Sequence, residues 1–506
     1  MPSEQQSQEA SRPEYLLLGF IALCMVILHV ATNGRYGFHR DELQILDDAR
    51  HLDWGFVVYP PMTPFIERIS LGLFGTSLVG LRMFSVIAQA IALFVTGLMA
   101  YELGGKRLAQ IVAALAIAIS LLPLFEGTEF QYSSFDYLWC VFIAYFLIRL
   151  LKSENPRWWL PIGAMIGLGM MTKYTMGFFV AGIVGGVLLT SARRYLRSPW
   201  LWAGVVVSLL IFLPNMSWQA RHDFVSLQFL QHIHKRDVGE GRAQNFFRDQ
   251  FLICTNYFAA PVWLAGLYYY FFSADGKRYR LLGWQYVITL ALFAIGKGRG
   301  YYAAPVYPML YAAGSVAGEK CVCSLSRVWS RVVQIATFAA FAIGGAFAAA
   351  IVIPFNPVIA ANNFALRNNG DLREEIGFTD LVASVATVRD SLSPAERANF
   401  AIITGNYGET GAIDLYGPAY GLPPAISGTN TAWYRGYGDP PPQTLIAVGL
   451  SREFLDEHFT MCRLAGHNGN PYGIKNEESE DHPDIYVCGP PREGWPAFWS
   501  NFQRFG

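Results

Sequence analysis

Apolar runs of about 17 to 25 residues, long enough to cross ~30 Å of hydrocarbon as helix, recur along this chain. They lie near residues 15–32, 79–102, 108–124, 135–151, 158–172, 174–190, 200–217, 251–272, 281–296, 302–318 and 333–353. The pattern predicts eleven membrane-spanning helices, the two around "GLGMMTKYTMGFF" being also readable as one broken element. Between the first two runs lies a polar stretch, "YGFHRDELQILDDARHLDWGFVVYPP", with five carboxylates at Asp41, Glu42, Asp47, Asp48 and Asp53. Within it Leu43, Leu46, Ala49 and Leu52 recur every three residues, which predicts an amphipathic helix lying along the interface with its apolar edge in lipid. From about Phe355 the pattern changes. "NFAIITG", "TLIAVGL" and "DIYVCGP" read as short buried strands bounded by turn residues, with a helix between Phe378 and Leu392. The expected organisation is a transmembrane module over 1–354, its first outer loop at 33–78, followed by a small α/β domain over 355–506.

Composition agrees with a membrane protein: 53% of the 506 residues are hydrophobic and 15% charged, against ~25% charged in soluble domains. The formal net charge is zero, so nothing global attracts nucleic acid or a strongly acidic partner. Lysine and arginine set the orientation. With the N-terminus inside, the inner loops hold Lys106 and Arg107, then Arg149, Lys152 and Arg157, then Arg193, Arg194 and Arg197, then Lys277, Arg278 and Arg280, then Lys320, Arg327 and Arg331. An odd number of spans then puts the C-terminal domain outside a plasma or inner membrane. The first span, preceded by Arg12 and followed by no clear cleavage site, reads as a retained helix. Cys24, Cys140 and Cys254 sit in apolar runs as small hydrophobes, and the CxC at Cys321 and Cys323 has no second pair to make a zinc site. Cys462 and Cys488 fall in the outer domain, where an oxidising compartment would allow them to pair. No internal repeat is visible, which weighs against many transporter architectures.

Chemistry-bearing residues collect on the outer side of the predicted bundle. Asp41 and Glu42 open the first-loop helix, where Asp41 reads either as an N-cap or as a catalytic carboxylate at the membrane surface. Glu126, Glu129 and Asp136 flank the third and fourth spans, Lys173 sits in "MMTKYTM", and Lys297 and Arg299 precede Tyr301, Tyr302 and Tyr307. Ionisable groups near membrane depth need a partner, a wet cavity or a function. Acids facing cations at headgroup level suit glycosyl transfer from a lipid-phosphate sugar. Cations stabilise the departing phosphate, and a carboxylate takes the acceptor's proton as carbocation character grows on the sugar. His232 and His234, with Glu240 nearby, offer a weak metal motif, and neither a catalytic metal nor a cofactor is expected. In the C-terminal part, residues 405–438 are rich in glycine and aromatics, which reads as turns of the α/β domain. A sharper reading is a sugar-facing acceptor surface using Asn406, Glu409, Asn430 and Arg435.

The order of "FHRDEL", "HLDWGFVVYPPMTPFI", "GLRMFSVIAQAIALFVTGLMAYELGG", "FDYLW", "GLGMMTKYTMGFF" and "KGRGYYAAPVYPML" resembles the polytopic GT-C glycosyltransferases. Within these it is similar to the protein O-mannosyltransferase-like superfamily that includes bacterial aminoarabinose and galacturonic acid transferases of lipid A. The resemblance covers most of residues 35–315. It implies Asp41 as catalytic base with Glu42 in support, and Asp136, Lys173, Lys297, Arg299, Tyr302 and Tyr59 as donor-phosphate or pocket residues. One departure stands out: where some relatives have a lysine before the proline of the first loop, this chain has Tyr59 in "YPP". The phosphate contacts then come from elsewhere, with Arg221, His222, His232, His234, Lys235 and Arg236 of the long loop as alternatives. The implied activity is an inverting hexosyl- or pentosyltransferase of the cell envelope. Its partners would be a polyprenyl-phosphate sugar, membrane lipids and a lipid, glycan or protein acceptor. The competing classes are a transporter or flippase, which would carry its charges near mid-bilayer, and a non-catalytic assembly subunit.

Overall fold

A computed structural model describes residues 12–358 and 363–506; residues 1–11 of the first module and 359–362 at the junction lie outside the described residues. All eleven apolar runs are helical. Five helices, Tyr15–Thr32, Leu78–Glu102, Tyr132–Ser153, Pro199–Arg221 and Arg327–Val352, are each long and apolar enough to cross a membrane. Two bent pairs raise the number to seven: Met176–Leu189 with Ser191–Arg197, turned by 103°, and Phe246–Leu252 with Tyr257–Phe272, turned by 81°. The other runs form shorter helices, such as Arg107–Ala118, Trp159–Met170 and Arg280–Ile295. The eleven runs thus do not become eleven uninterrupted crossings. Broken helix ends are tolerated at membrane depth only where protein satisfies their backbone, and it does so here: the run at 108–124 breaks at Ser120, and the N–H groups of Leu121 and Leu122 donate to Thr255 O and Ile253 O at 3.1 and 2.9 Å.

The C-terminal part holds a five-stranded sheet of β1 (Phe400–Thr404), β2 (Ala425–Ser427), β3 (Thr444–Val448), β4 (Arg463–His467) and β5 (Asp484–Cys488). Its order is β2-β1-β3-β5-β4. β1 runs parallel to both β2 and β3, and β5 runs antiparallel to β3 and β4. β1, β3 and β5 are short and apolar because both faces are covered. The Phe378–Asp390 and Tyr407–Tyr416 helices bury Leu381, Val385 and Ile413 on one face, and Trp495, Phe498 and Phe502 pack on the other. Cys462 and Cys488 form a disulfide.

The first-loop helix, Arg40–Arg50, corrects the expectation of an apolar edge in lipid. Nine of its eleven residues are buried. Leu43 and Leu46 join the core of the sheet domain, whereas Ile45 joins the core of the membrane bundle. Close packing against the Tyr407–Tyr416 helix is possible because residue 411 is glycine: a Cβ there would stand 2.6 Å from Leu43 O. The helix is therefore a joint clamped between the two modules.

Candidate active site

The start of that joint decides which carboxylates are available. His39, in extended conformation, is the N-cap, accepting from Asp41 N at 3.1 Å, and the Glu42 carboxylate accepts from His39 N at 2.8 Å. Asp41 is thus inside the helix rather than its cap. Adjacent helical residues point about 100° apart, so Asp41 and Glu42 face different surroundings. Glu42 turns inward, is 1% exposed, and takes Arg82 in a bidentate pair (Nε–Oε1 2.8 Å, Nη2–Oε2 2.6 Å) together with Phe130 N at 2.7 Å. It lines no part of the cleft described next. Its placement is that of a structural anchor, with Glu375 of the C-terminal part adding a second carboxylate 3.3 Å from Arg82.

Asp41 opens onto a cleft of about 1000 Å³ between the membrane bundle, the first loop, the long loop and the sheet domain. Gln131 Nε2 donates to its Oδ2 at 3.0 Å and the Tyr407 hydroxyl to its Oδ1 at 2.8 Å. Burial alone would raise the Asp41 pKa, but the charges of His39 and Arg40 and these two hydrogen bonds outweigh it. The carboxyl ends below its ordinary value, ionised at neutral pH.

The same cleft is lined by Tyr59, Lys173, Lys297, Arg299 and Tyr302. The Lys173 ammonium lies 4.4 Å from the Tyr302 ring centroid, 4.9 Å from that of Tyr132 and 5.9 Å from that of Tyr301. Such cation–π contacts hold a charge without neutralising it. Tyr132 directly follows Gln131 in the chain, so two neighbouring residues link the Asp41 carboxylate to the Lys173 ammonium. Lys297 is exposed on a turn with φ 49°. Arg299 differs: Asp237 takes it bidentately at 2.6 and 2.8 Å, which leaves little of its charge for a ligand. Tyr59 donates to Asp48 at 2.7 Å, and Phe178, Leu292 and Phe293 give the cleft an apolar flank.

Other expected site residues are placed elsewhere. Asp136, on the Tyr132–Ser153 helix, is buried and does not line the cleft. Of the four acceptor candidates only Asn406 reaches it. Glu409 is buried against Gly449. Asn430 bonds Gln44 at 3.3 Å and the Gly506 backbone. Arg435 is spent on Asp47, with Asp414 at 3.8 Å. Asn430 and Arg435 fasten the domain to the first-loop helix and line no part of this cleft. His232 and His234 lie on the Val225–Gly239 helix, where a step of two residues separates them: His234 lines the cleft, whereas His232 packs edge-on to Phe505. Sequence reasoning missed Arg82, Gln131 and Tyr407. A charged residue within an apolar run was the available signal for Arg82; no spacing pointed to Tyr407.

A family model described as dolichyl-phosphate-mannose-protein mannosyltransferase matches residues 58–218. The chain is 26% identical to the lipid A galacturonosyltransferase RgtD of Rhizobium johnstonii over 55% of this chain and 59% of that protein. It is 25% identical to the undecaprenyl phosphate-alpha-4-amino-4-deoxy-L-arabinose arabinosyl transferase 1 of Sodalis glossinidius over 40% of this chain and 39% of that protein. The match thus spans less than two thirds of either relative. Among solved structures, ArnT from Cupriavidus metallidurans bound to undecaprenyl phosphate superposes with a TM-score of 0.58, covering 94% of this chain and 97% of that one at 14% identity. That likeness is one of fold. Family model, relatives and fold agree on one superfamily, the GT-C membrane glycosyltransferases, and the chain has its architecture.

Proposed function

We propose that this GT-C-type chain is an inverting glycosyltransferase that moves a sugar from a polyprenyl phosphate to an envelope acceptor at the outer face of the membrane. The observation that carries the reading is the pairing within one cleft of Asp41, whose carboxylate oxygens take hydrogen bonds from Gln131 and Tyr407, with Lys173, whose ammonium faces tyrosine rings and forms no ion pair among the described residues. The donor phosphate lies against Lys173 and Lys297, with Tyr302 beside it and the prenyl chain leaving along the Phe178–Leu292 flank. The acceptor hydroxyl oxygen attacks the anomeric carbon from the face opposite the phosphate, and its proton passes to Asp41. The carbon–oxygen bond to phosphate breaks, and the electron pair leaves with the phosphate, whose charge the lysines stabilise. A carboxylate with a lowered pKa is a weak base. It serves here because the proton becomes acidic only as the new bond forms.

The outer placement of the sheet domain, with the N-terminus inside, is supported by the basic inner loops and by the Cys462–Cys488 disulfide, which belongs to an oxidising compartment. The relatives suggest galacturonic acid or 4-amino-4-deoxy-L-arabinose as donor sugars and lipid A or its core as acceptor.

The test is Asp41→Asn in proteoliposomes supplied with undecaprenyl-phosphate sugars of both kinds. Transfer should fall about 100-fold or more with undecaprenyl-phosphate binding retained; unaltered transfer would remove Asp41 as the base.

A further inference from the structure

The sheet changes winding direction at β1, which has β2 on one side and β3 on the other, all three parallel. Open α/β sheets place functional groups beyond the carboxyl ends of strands at such a point. Here that edge faces the cleft of the membrane module: Gly405, Asn406 and Tyr407 after β1, and Thr429 after β2, line it. Asn406 caps the Tyr407–Tyr416 helix, its side chain accepting from Gly408 N at 2.7 Å, so Tyr407 is fixed at the first helical position. The Arg40 guanidinium lies 4.7 Å from the Tyr407 ring centroid. Arg40 is itself held by Glu477 and, at 3.3 Å, by Glu478. Ring and helix end together aim one hydroxyl at Asp41 Oδ1.

We propose that Tyr407 is a positioning residue for Asp41, so that the C-terminal domain completes the active site by fixing the plane of the carboxylate. The inference rests on the reading of Asp41 as the base. Each carboxylate oxygen has two lone-pair sites. Gln131 and Tyr407 occupy one site on each oxygen, which stops rotation and leaves the others for an acceptor hydroxyl. The charged and titratable groups that act on Asp41 come from several neighbouring elements: His39 and Arg40 on its own segment, Tyr59 in the first loop, Tyr132 beside Gln131, and Tyr407 from the sheet domain. Among the described residues, Tyr407 alone reaches it from the C-terminal domain with a hydrogen bond.

Tyr407→Phe keeps the ring beneath Arg40 and removes the hydroxyl alone. In the full-length protein, transfer from undecaprenyl-phosphate sugar should show kcat lower by about 10-fold and donor KM within about twofold. Loss of a hydrogen bond to the ionised form should move the acid limb of the pH profile up by about one pH unit. An infrared titration of the protein without substrate, with the Asp41 carboxyl band identified by its loss in Asp41→Asn, should show the same upward shift. Tyr416→Phe, on the same helix and away from the cleft, should leave rate and titration unchanged. A Tyr407→Phe protein with the rate, acid limb and carboxyl titration of the parent, beside an inactive Asp41→Asn, would overturn the role of Tyr407 and leave the base standing. An active Asp41→Asn would instead overturn the base, and the infrared titration would still report whether Tyr407 holds the carboxylate.

Discussion

The membrane side of the cleft and its outer side are built on opposite electrostatic plans. On the membrane side Lys173 rests on tyrosine rings and forms no ion pair among the described residues. On the outer side, carboxylates of the first-loop helix are taken up by guanidinium groups: Glu42 by Arg82 and Asp47 by Arg435. Asp41 escapes, because a tyrosine and a glutamine hold it instead. The difference teaches which charges remain for a ligand. An ion pair satisfied within the protein fixes the fold, whereas a charge held by rings or neutral donors keeps its field for a substrate.

The strongest way to break this comparison is at the anchor. Arg82→Met leaves Glu42 and Glu375 buried without their cation, with the acids Glu67 and Glu129 close enough to share its field. Removing one partner of a buried pair costs about 3–5 kcal/mol, so thermal unfolding in detergent should show a large loss, part of which Arg82→Met with Glu42→Gln recovers. A single variant as stable as the parent would refute the anchoring role. Next in size is the contrast between two cations. Lys173→Met should weaken undecaprenyl-phosphate binding by about 10-fold or more at little cost in stability. Arg299→Met should do the reverse, with a moderate loss of stability, since Asp237 loses its bidentate partner and keeps Arg236 and Arg242, each 3.7 Å away. Equal losses of affinity would mean that Arg299 also serves the ligand.

The smallest effect separates the two ends of the first-loop helix by pH. Burial, and then the charge of Asp47, push the Asp48 carboxyl up to about 7. Its folded pKa exceeds the unfolded value of ~3.9, so between about pH 4 and 7 the folded state binds the extra proton. Stability from this group is therefore greatest below the unfolded pKa and falls as pH rises through the folded one. Asp48→Asn removes that slope: its melting temperature relative to the parent should be higher at pH 8 than at pH 5, and a constant difference would contradict it.

The helical runs were legible because crossing a membrane demands long apolar segments whatever packs around them. The sheet was legible in three of its strands; "RLAGH" of β4, largely exposed with the irregular pairing of an edge strand, carries no buried-strand pattern. Lys173, Lys297, Arg299, Tyr302 and Tyr59 line the cleft together with Asp41, whereas Asp136 does not. Asp41 and Glu42 stand side by side in "FHRDEL" and part company through the turn of one helical residue. Tyr407 lay within the aromatic-rich stretch 405–438, but nothing there tied it to the carboxylate it touches, 366 residues away.

Taken alone, the sequence determined that the chain enters a membrane repeatedly, where its polar loops fall and that they carry acids and cations, because hydropathy is a property of each segment by itself. Tertiary structure decided which charges are paired and which are left over, and that the first-loop helix is a joint instead of a lipid-facing surface. Electrostatic partners are chosen by proximity in space, and a buried arginine from a membrane helix or a tyrosine from a distant domain leaves no trace beside the residue it serves.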